Sequence, residues 1–281
     1  MINKSQNEIR VLPARHGVAW LMQSMALLRA QPGRLLFIAV LLQVIMGLTQ
    51  VPVIGFLLII SVPALSAGLL QAFLVTAGGG RPSPNLLFLP LMSGARTIRM
   101  LTMGALMFIV GILTVSLVLS GNQAILDPEL LSRIEQGDVE ALVSMDPTVV
   151  RSLVFAFLIG ISVSGTLSYM TIPLMWFHDR KLGPALGDGL RALIVNWRPF
   201  LLLGLGLAAV MFPVVLAAGV LFIWAGSAGV LSFLVLGLMM VLLLAFQLVL
   251  FGTQFCAFRD IFGIETRPTK PDQTDDGQLV A

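Results

Sequence analysis

Between Arg34 and Arg81, and again between Arg198 and Arg259, the chain carries no Asp, Glu, Lys or Arg. A helix crosses the hydrocarbon core of a bilayer in about 20 apolar residues, so each of these stretches is long enough to cross, turn and cross back. Each is therefore predicted to be a helical hairpin in lipid, where backbone polar groups must be satisfied within the spanning segment itself. The first hairpin is expected to reverse near "TQVPVIG", where Pro52 suits a turn or a helix start. The last is expected to reverse near "WAGSAG", from Trp224 to Gly229. Met100 to Ser120 and Ser152 to Phe177 supply two further spans. With 57% hydrophobic and 11% charged residues and a mean hydropathy of +0.97, the chain lies outside the range of soluble domains.

The expected fold class is all-α, a polytopic membrane helical bundle of six transmembrane helices in three hairpin-like repeats. Each repeat is expected to be preceded by a cytoplasmic interfacial amphipathic helix. One membrane domain over residues 1–263 is expected, with an interfacial helix at about 14–31. The spans are placed at about 34–50, 53–76, 100–120, 152–177, 199–223 and 230–257. An acidic helical loop over 121–151 joins spans three and four, and a tail over 264–281, rich in Pro, Thr, Asp and Gln, is expected to be disordered.

Orientation follows from the cations, because Lys and Arg in short loops stay on the cytoplasmic side. Lys4, Arg10, Arg15, Arg29, Arg34, Arg81, Arg96, Arg99, Arg180, Lys181, Arg191, Arg198, Arg259, Arg267 and Lys270 fall on one side of the six-span arrangement; Arg133 and Arg151 fall on the other. Both termini are therefore expected in the cytoplasm and the 121–151 loop outside. The pI of about 9.6 reflects this topology, and no nucleic-acid partner is expected. No cleavable signal peptide is expected, since the first apolar run continues into a second span. The single cysteine, Cys256, excludes an intramolecular disulfide and a cysteine-based metal cluster.

Two segments share a pattern. On a helical wheel of "ARHGVAWLMQSMALLRAQPGRLLF", Trp20, Leu21, Met25 and Leu28 oppose Arg15, His16, Gln23 and Arg29. In "WFHDRKLGPALGDGLRALIVNWRPFLLLG", Leu186, Leu190, Leu193, Ile194 and Trp197 oppose Asp188, Arg191 and Arg198. Each is predicted to lie in the membrane interface, and each ends at a proline, Pro32 or Pro199, suited to an early position of the following span. A weaker copy is "NLLFLPLMSGARTIRMLTMG", so the repeats begin near residues 13, 84 and 182. In the acidic loop, Asp127, Asp138 and Asp146 suit helix N-caps and Pro128 and Pro147 first helical positions.

Candidate chemistry is sparse. An ionisable group within a span costs about 2.5–3.5 kcal/mol to insert and marks proton or ion paths; the expected spans hold none. His178 and Asp179 could form a catalytic or metal pair, but neighbours on a helix point about 100° apart. With Trp176, Arg180 and Lys181 beside them they read as a membrane-interface anchor, in common with Trp20 and Trp197. "GISVSGTLSYMTIP" superficially suggests an intramembrane serine protease, yet no span holds a histidine to act as base. Helix packing through Gly160, Ser164 and Ser168 accounts for it better. Gln43, Gln50, Gln71, Gln247 and Gln254 could line a cavity or join helices, and joining helices is the preferred reading. The candidate intramembrane polar contacts are thus Gln43, Gln71, Ser164, Tyr169 and Gln247. Pro63, Pro173 and Pro213 are expected to bend or interrupt their helices. No catalytic, cofactor-binding or metal site is expected.

The stretches "PARxGxxWLxxSxxLLRxxP" from Pro13, "VPVIGFLLIISVPALSAGL" from Val51, "HDRKLGPALGDGLRALIVNWRPFL" from His178 and "FRDIFG" from Phe258 resemble a family of uncharacterised proteobacterial six-span inner-membrane proteins. The resemblance extends nearly to Gly263. Ala185 and Asn196 correspond to an Ala and an Asn that mark the helix before the fifth span in that family, whereas Gly or Arg stands where its Ser would fall. The resemblance implies a bacterial inner-membrane location and supports six spans; it implies no activity. The expected role is a non-enzymatic envelope or complex-assembly component, with the bilayer and a membrane or periplasmic protein, met through 121–151, as partners. The alternative is a carrier or channel for a neutral or lipidic solute.

Overall fold

The computed structural model describes residues 9–120, 132, 147–225 and 230–264. They form α-helices and short 3-10 turns in the order α1 (His16–Ala30), α2 (Pro32–Gly47), α3 (Pro52–Ala77), α4 (Ala95–Ser120), α5 (Pro147–Phe177), α6 (Leu182–Val195), α7 (Trp197–Ala225) and α8 (Val230–Phe262). No strand occurs among the described residues. Six helices are long and apolar enough to cross a membrane, over Pro32–Gln50, Val53–Ala77, Ala95–Thr114, Val150–Phe177, Trp197–Ala217 and Gly237–Phe262. The protein is an all-α polytopic bundle.

Local sequence explains the joints. Gln31 leaves the helical region at φ −140°, and Pro32, which has no N–H to satisfy, starts α2. The 3-10 segment Leu48–Gln50 follows α2, and Pro52 opens α3. A side chain at Gly55 would overlap the backbone of Thr49, so glycine is required for the turn to close this tightly. The reversal expected at Trp224–Gly229 and the acidic loop fall largely outside the described residues, as does the tail from residue 265.

The middle copy of the interfacial helix is corrected. Residues Pro84–Leu87 and Leu89–Met92 are two 3-10 turns rather than an amphipathic α-helix. Pro84 and Pro90 each withhold an N–H, which favours short i→i+3 pieces over a continuous ladder. Pro63, Pro173 and Pro213, expected to bend or interrupt their helices, lie inside α3, α5 and α7 without ending them.

The chain forms two compact units. The first comprises the described parts of Met1–Gly47, Leu65–Met92 and Ala192–Ala281; the second is Leu48–Ala64 with the described parts of Ser93–Arg191. In the first unit, α1 packs against α7 and α8, and α2 against α8. Its core joins Trp20, Leu35, Ile38, Phe73, Phe255 and Phe258, all fully buried. Phe73 and Phe255 stack at 6.5 Å between ring centroids, and Trp20 lies 5.2 Å from Phe200. Three glycines admit close contacts: Gly17 faces the backbone of Pro199 and Leu203, Gly68 that of Leu86 and Leu87, and Gly252 receives Ser24 and Phe73.

In the second unit α4 lies along α5, and the first half of α3 joins them through Phe56 and Phe108, edge to face at 5.4 Å. A Cβ at Gly104 would overlap the Ile60 backbone, so these helices meet main chain to main chain. The packing glycine is therefore Gly104. Gly160 is less tightly placed, since a Cβ there would meet only the Thr114 methyl, at 3.8 Å. Ser162 and Ser168 return their hydroxyls to carbonyls of their own helix, Leu158 O at 2.7 Å and Gly165 O at 3.2 Å.

Burial in each unit is concentrated at one end of the helices. Met170 to Trp176 are buried on α5, Met100 and Met103 on α4, and Thr253 to Phe258 on α8. The opposite ends carry exposed apolar side chains, including Leu113 and Leu117 on α4, Phe155 and Leu158 on α5, and Phe212 and Leu216 on α7.

Candidate functional site

The polar side chains form one cluster in each unit. In the second, α5 ends at Phe177 and the chain turns through Asp179 at φ +55°, the one non-glycine residue with positive φ among the described residues. Asp tolerates this left-handed conformation better than most side chains. The turn is closed by the N–H groups of His178 and Arg180, which both donate to Leu174 O, at 3.2 and 3.3 Å.

The Asp179 carboxylate accepts hydrogen bonds from Arg96 Nε, at 3.0 Å, and from Arg99 Nη2, both in the first turns of α4. Arg99 Nη1 also donates to the Asp179 carbonyl, at 2.9 Å. Arg96 lies over the Trp176 ring, 5.5 Å from its centroid, and Arg180 pairs with Asp188 of α6 at 3.4 Å. Arg96 and Arg99 sit on α4 because that helix begins at Ala95, five residues before the expected span.

The Arg99 hydrogen bond holds the Asp179 carboxyl below its ordinary value of 3.8; partial burial opposes this, and the charges of Arg99 and Arg96 add to it. Asp179 is thus an ionised acceptor already bridged by two guanidinium groups. Its side chain is 58% exposed, so solvent screens these pairs; their contribution lies mainly in fixing the α4–α5 geometry. Trp176 is buried, His178 and Arg180 are half-buried, and Lys181 is exposed. On α6, Ala185 and Gly189 face the protein, with Gly189 against Met170 and Thr171.

In the first unit, Trp20 is fully buried and its Nε1 donates to Asp260 Oδ2 at 2.9 Å. The reading of Trp20 as a lipid-facing anchor is replaced by this role inside the fold, since a side chain with no exposure cannot reach lipid. Arg259 lies 3.5 Å from Asp260 Oδ1 and donates to Gln23 Oε1 at 2.9 Å. Ser24 Oγ donates to Val249 O at 2.9 Å, fastening α1 to α8 a turn further on.

Asn196, fully buried between α6 and α7, accepts from Leu12 N at 2.8 Å and donates to Arg10 O and Ala192 O, each at 3.1 Å. Arg10 N donates to Ile261 O at 3.1 Å. Residues 10–12 are therefore a strap held by the α6–α7 joint on one side and the end of α8 on the other. Trp197, the next residue, is 55% exposed.

The intramembrane candidates differ in burial. Gln43 is exposed on α2, Gln71 and Gln247 are half-buried, and Gln254 is buried. Ser164 and Tyr169 are half-buried on α5. The polar groups that matter most are the buried Ser24 and Asn196 and the half-buried Asp260. Asn196, Ser24 and the "FRDIFG" motif all fall within the stretches that carry the family resemblance.

Among the described residues no group of three or more His, Cys, Asp or Glu side chains is placed to hold a metal ion. The clusters act as fasteners: Asp179, Asp188 and Asp260 each pair with arginine, and the Asn196 amide holds Arg10 O and Leu12 N. Comparison of the chain with protein-family models, with curated proteins and with solved structures gives no match.

Proposed function

We propose that this protein is a non-enzymatic component of the bacterial inner membrane, with both termini cytoplasmic, that acts by assembling with membrane or periplasmic partners. The observation that carries this reading is the contrast along the helices. In each unit the polar side chains at one end of the helices are committed to internal bonds, as with Asp179 in the second and Asp260 and Asn196 in the first. At the opposite end of its own unit each of α4, α5, α7 and α8 offers apolar side chains, with Leu117 76%, Phe212 66% and Leu234 69% exposed. Such faces suit lipid and lateral helix partners, where association rests on packing. The distribution of cations supports the cytoplasmic placement of the termini, the resemblance to proteobacterial inner-membrane proteins supports the compartment, and the acidic 121–151 segment is the proposed periplasmic contact.

Photo-crosslinking side chains at Leu117 and Leu216, with affinity capture from membranes, are expected to trap the same partner repeatedly. Deletion of 122–148 is expected to spare insertion and abolish that product. Absence of any reproducible product, together with solute flux or lipid scrambling by purified protein in liposomes, refutes assembly in favour of a carrier.

A further inference from the structure

Asp179, Asp188 and Asp260 are the carboxylates among the described residues, and each is ion-paired with arginine. Arg96, Arg99, Arg180 and Arg259 use up that negative charge. Arg15 and Arg198, by contrast, are exposed and take part in no ion pair among the described residues. The fold brings them into one neighbourhood of the first unit. Gly17 abuts the Pro199 backbone and Trp20 packs on Phe200, so the first turn of α1, next to Arg15, lies beside the first turn of α7, which holds Arg198.

Two large apolar side chains stand at the same corner. Ile194 is 71% and Trp197 55% exposed, and the Arg198 guanidinium lies over the Trp197 ring, 5.5 Å from its centroid. An exposed indole with a cation on its face is suited to the headgroup level of a bilayer, where one side of the ring meets acyl chain and the other meets charge. The rigid support is the Asn196 side chain, which is fully buried and holds the joint. Positive charge with no ion-pair partner among the described residues, next to an apolar wedge, matches a ligand that is anionic at one end and apolar at the other.

We propose that this α1–α7 corner binds an anionic phospholipid, its phosphodiester held by Arg15 and Arg198 and its acyl chains against Ile194 and Trp197. The inference goes beyond the assembly role but shares with it the placement of this corner in the inner leaflet; reporters fused to the termini read that sidedness independently of lipid retention.

The test is native mass spectrometry of the full chain in mild detergent, titrated with phosphatidylglycerol or phosphatidylethanolamine. Wild type is expected to retain phosphatidylglycerol preferentially. A basic residue near an anionic surface contributes about fivefold in affinity, so Arg15→Gln with Arg198→Gln should lower retention about thirtyfold. Arg151→Gln, an exposed cation of the second unit, should leave it unchanged. Trp197→Ala should weaken both lipids. Unaltered folding of the variants is checked by monodispersity and helical circular dichroism. Equal loss in Arg151→Gln, equal retention of the two lipids by wild type, or thermal stabilisation by inorganic phosphate as large as that by phosphatidylglycerol would each overturn the proposal.

Discussion

Replacing Asn196 by Ala removes the amide that holds the strap while leaving both helix ends intact. The bond to Ala192 O matters little, because that carbonyl also accepts the Asn196 backbone N–H at 3.0 Å. The loss is therefore the pair of bonds to Leu12 N and Arg10 O. At about 1 kcal/mol net per hydrogen bond, their removal should cost about 2 kcal/mol. Arg10 N still has Ile261 O, so the strap should open at one anchor only. A change of about 2 kcal/mol raises the population of the open strap about thirtyfold. Trypsin cuts after Arg10 and Arg15, and when opening is fast relative to cutting, the rate follows that population. Purified Asn196→Ala protein should thus be cleaved about thirtyfold faster at these sites, with cuts elsewhere unchanged. Its melting temperature should fall by roughly 4–8 °C if it scales as large soluble domains do. Unaltered cleavage at Arg10 and Arg15 in a folded variant refutes the role assigned to Asn196.

Three other outcomes are expected. Trp20→Phe keeps most of the buried ring but removes the bond to the Asp260 carboxylate, for a loss of about 2 kcal/mol; a double-mutant cycle with Asp260→Asn in thermal denaturation should show coupling, and strict additivity would count against the pair. Gly104→Ala should destabilise by about 1–3 kcal/mol through collision with the Ile60 backbone, whereas Gly111→Ala, with nothing within 4 Å, should be neutral or slightly stabilising; equal melting temperatures would contradict the packing assignment. Because the carboxyl of Asp179 is depressed in the folded state, its contribution is complete above its unfolded value and is lost as pH falls through the lower folded one. The melting difference between wild type and Asp179→Asn should accordingly be flat from pH 7 to 5 and shrink below about 3.8, and a difference that shrinks between pH 7 and 5 would show that another group governs the clamp.

Much of the bundle was legible in the sequence because insertion into lipid demands long uncharged runs, and such runs are conspicuous. Pro32 and Pro52 mark helix starts for a local reason that any reader of sequence can apply. Placement on the helical wheel was less successful. Hydrophobicity grouped Trp20, Leu21, Met25 and Leu28 on a side of α1 turned toward lipid, whereas Gly17, Trp20, Leu21 and Ser24 form the face buried in the protein. In a membrane bundle small residues pack because they let backbones approach, and hydrophobicity does not rank them highly. The same reason moved the close contact from Gly160 to Gly104, which is set by the opposing helix and not by spacing within one. Asp179 was visible as a charge at a helix end, but its left-handed backbone and its two arginine partners 80 or more residues away depend on tertiary structure. Asn196 was marked by resemblance alone, since its partners lie 184 and 186 residues away.

The strap imposes an order on biogenesis. Residues 10–12 leave the ribosome early, yet Asn196 and Ile261, which hold them, are made only after most of the spans. Throughout that interval the backbone groups of Arg10 and Leu12 lack their native partners, and a chain arrested before α6 can never seat them. Seating of the strap therefore reports that α8 is in place, and a protease that reads unseated segments can tell a finished molecule from an abandoned one at residues 10–12.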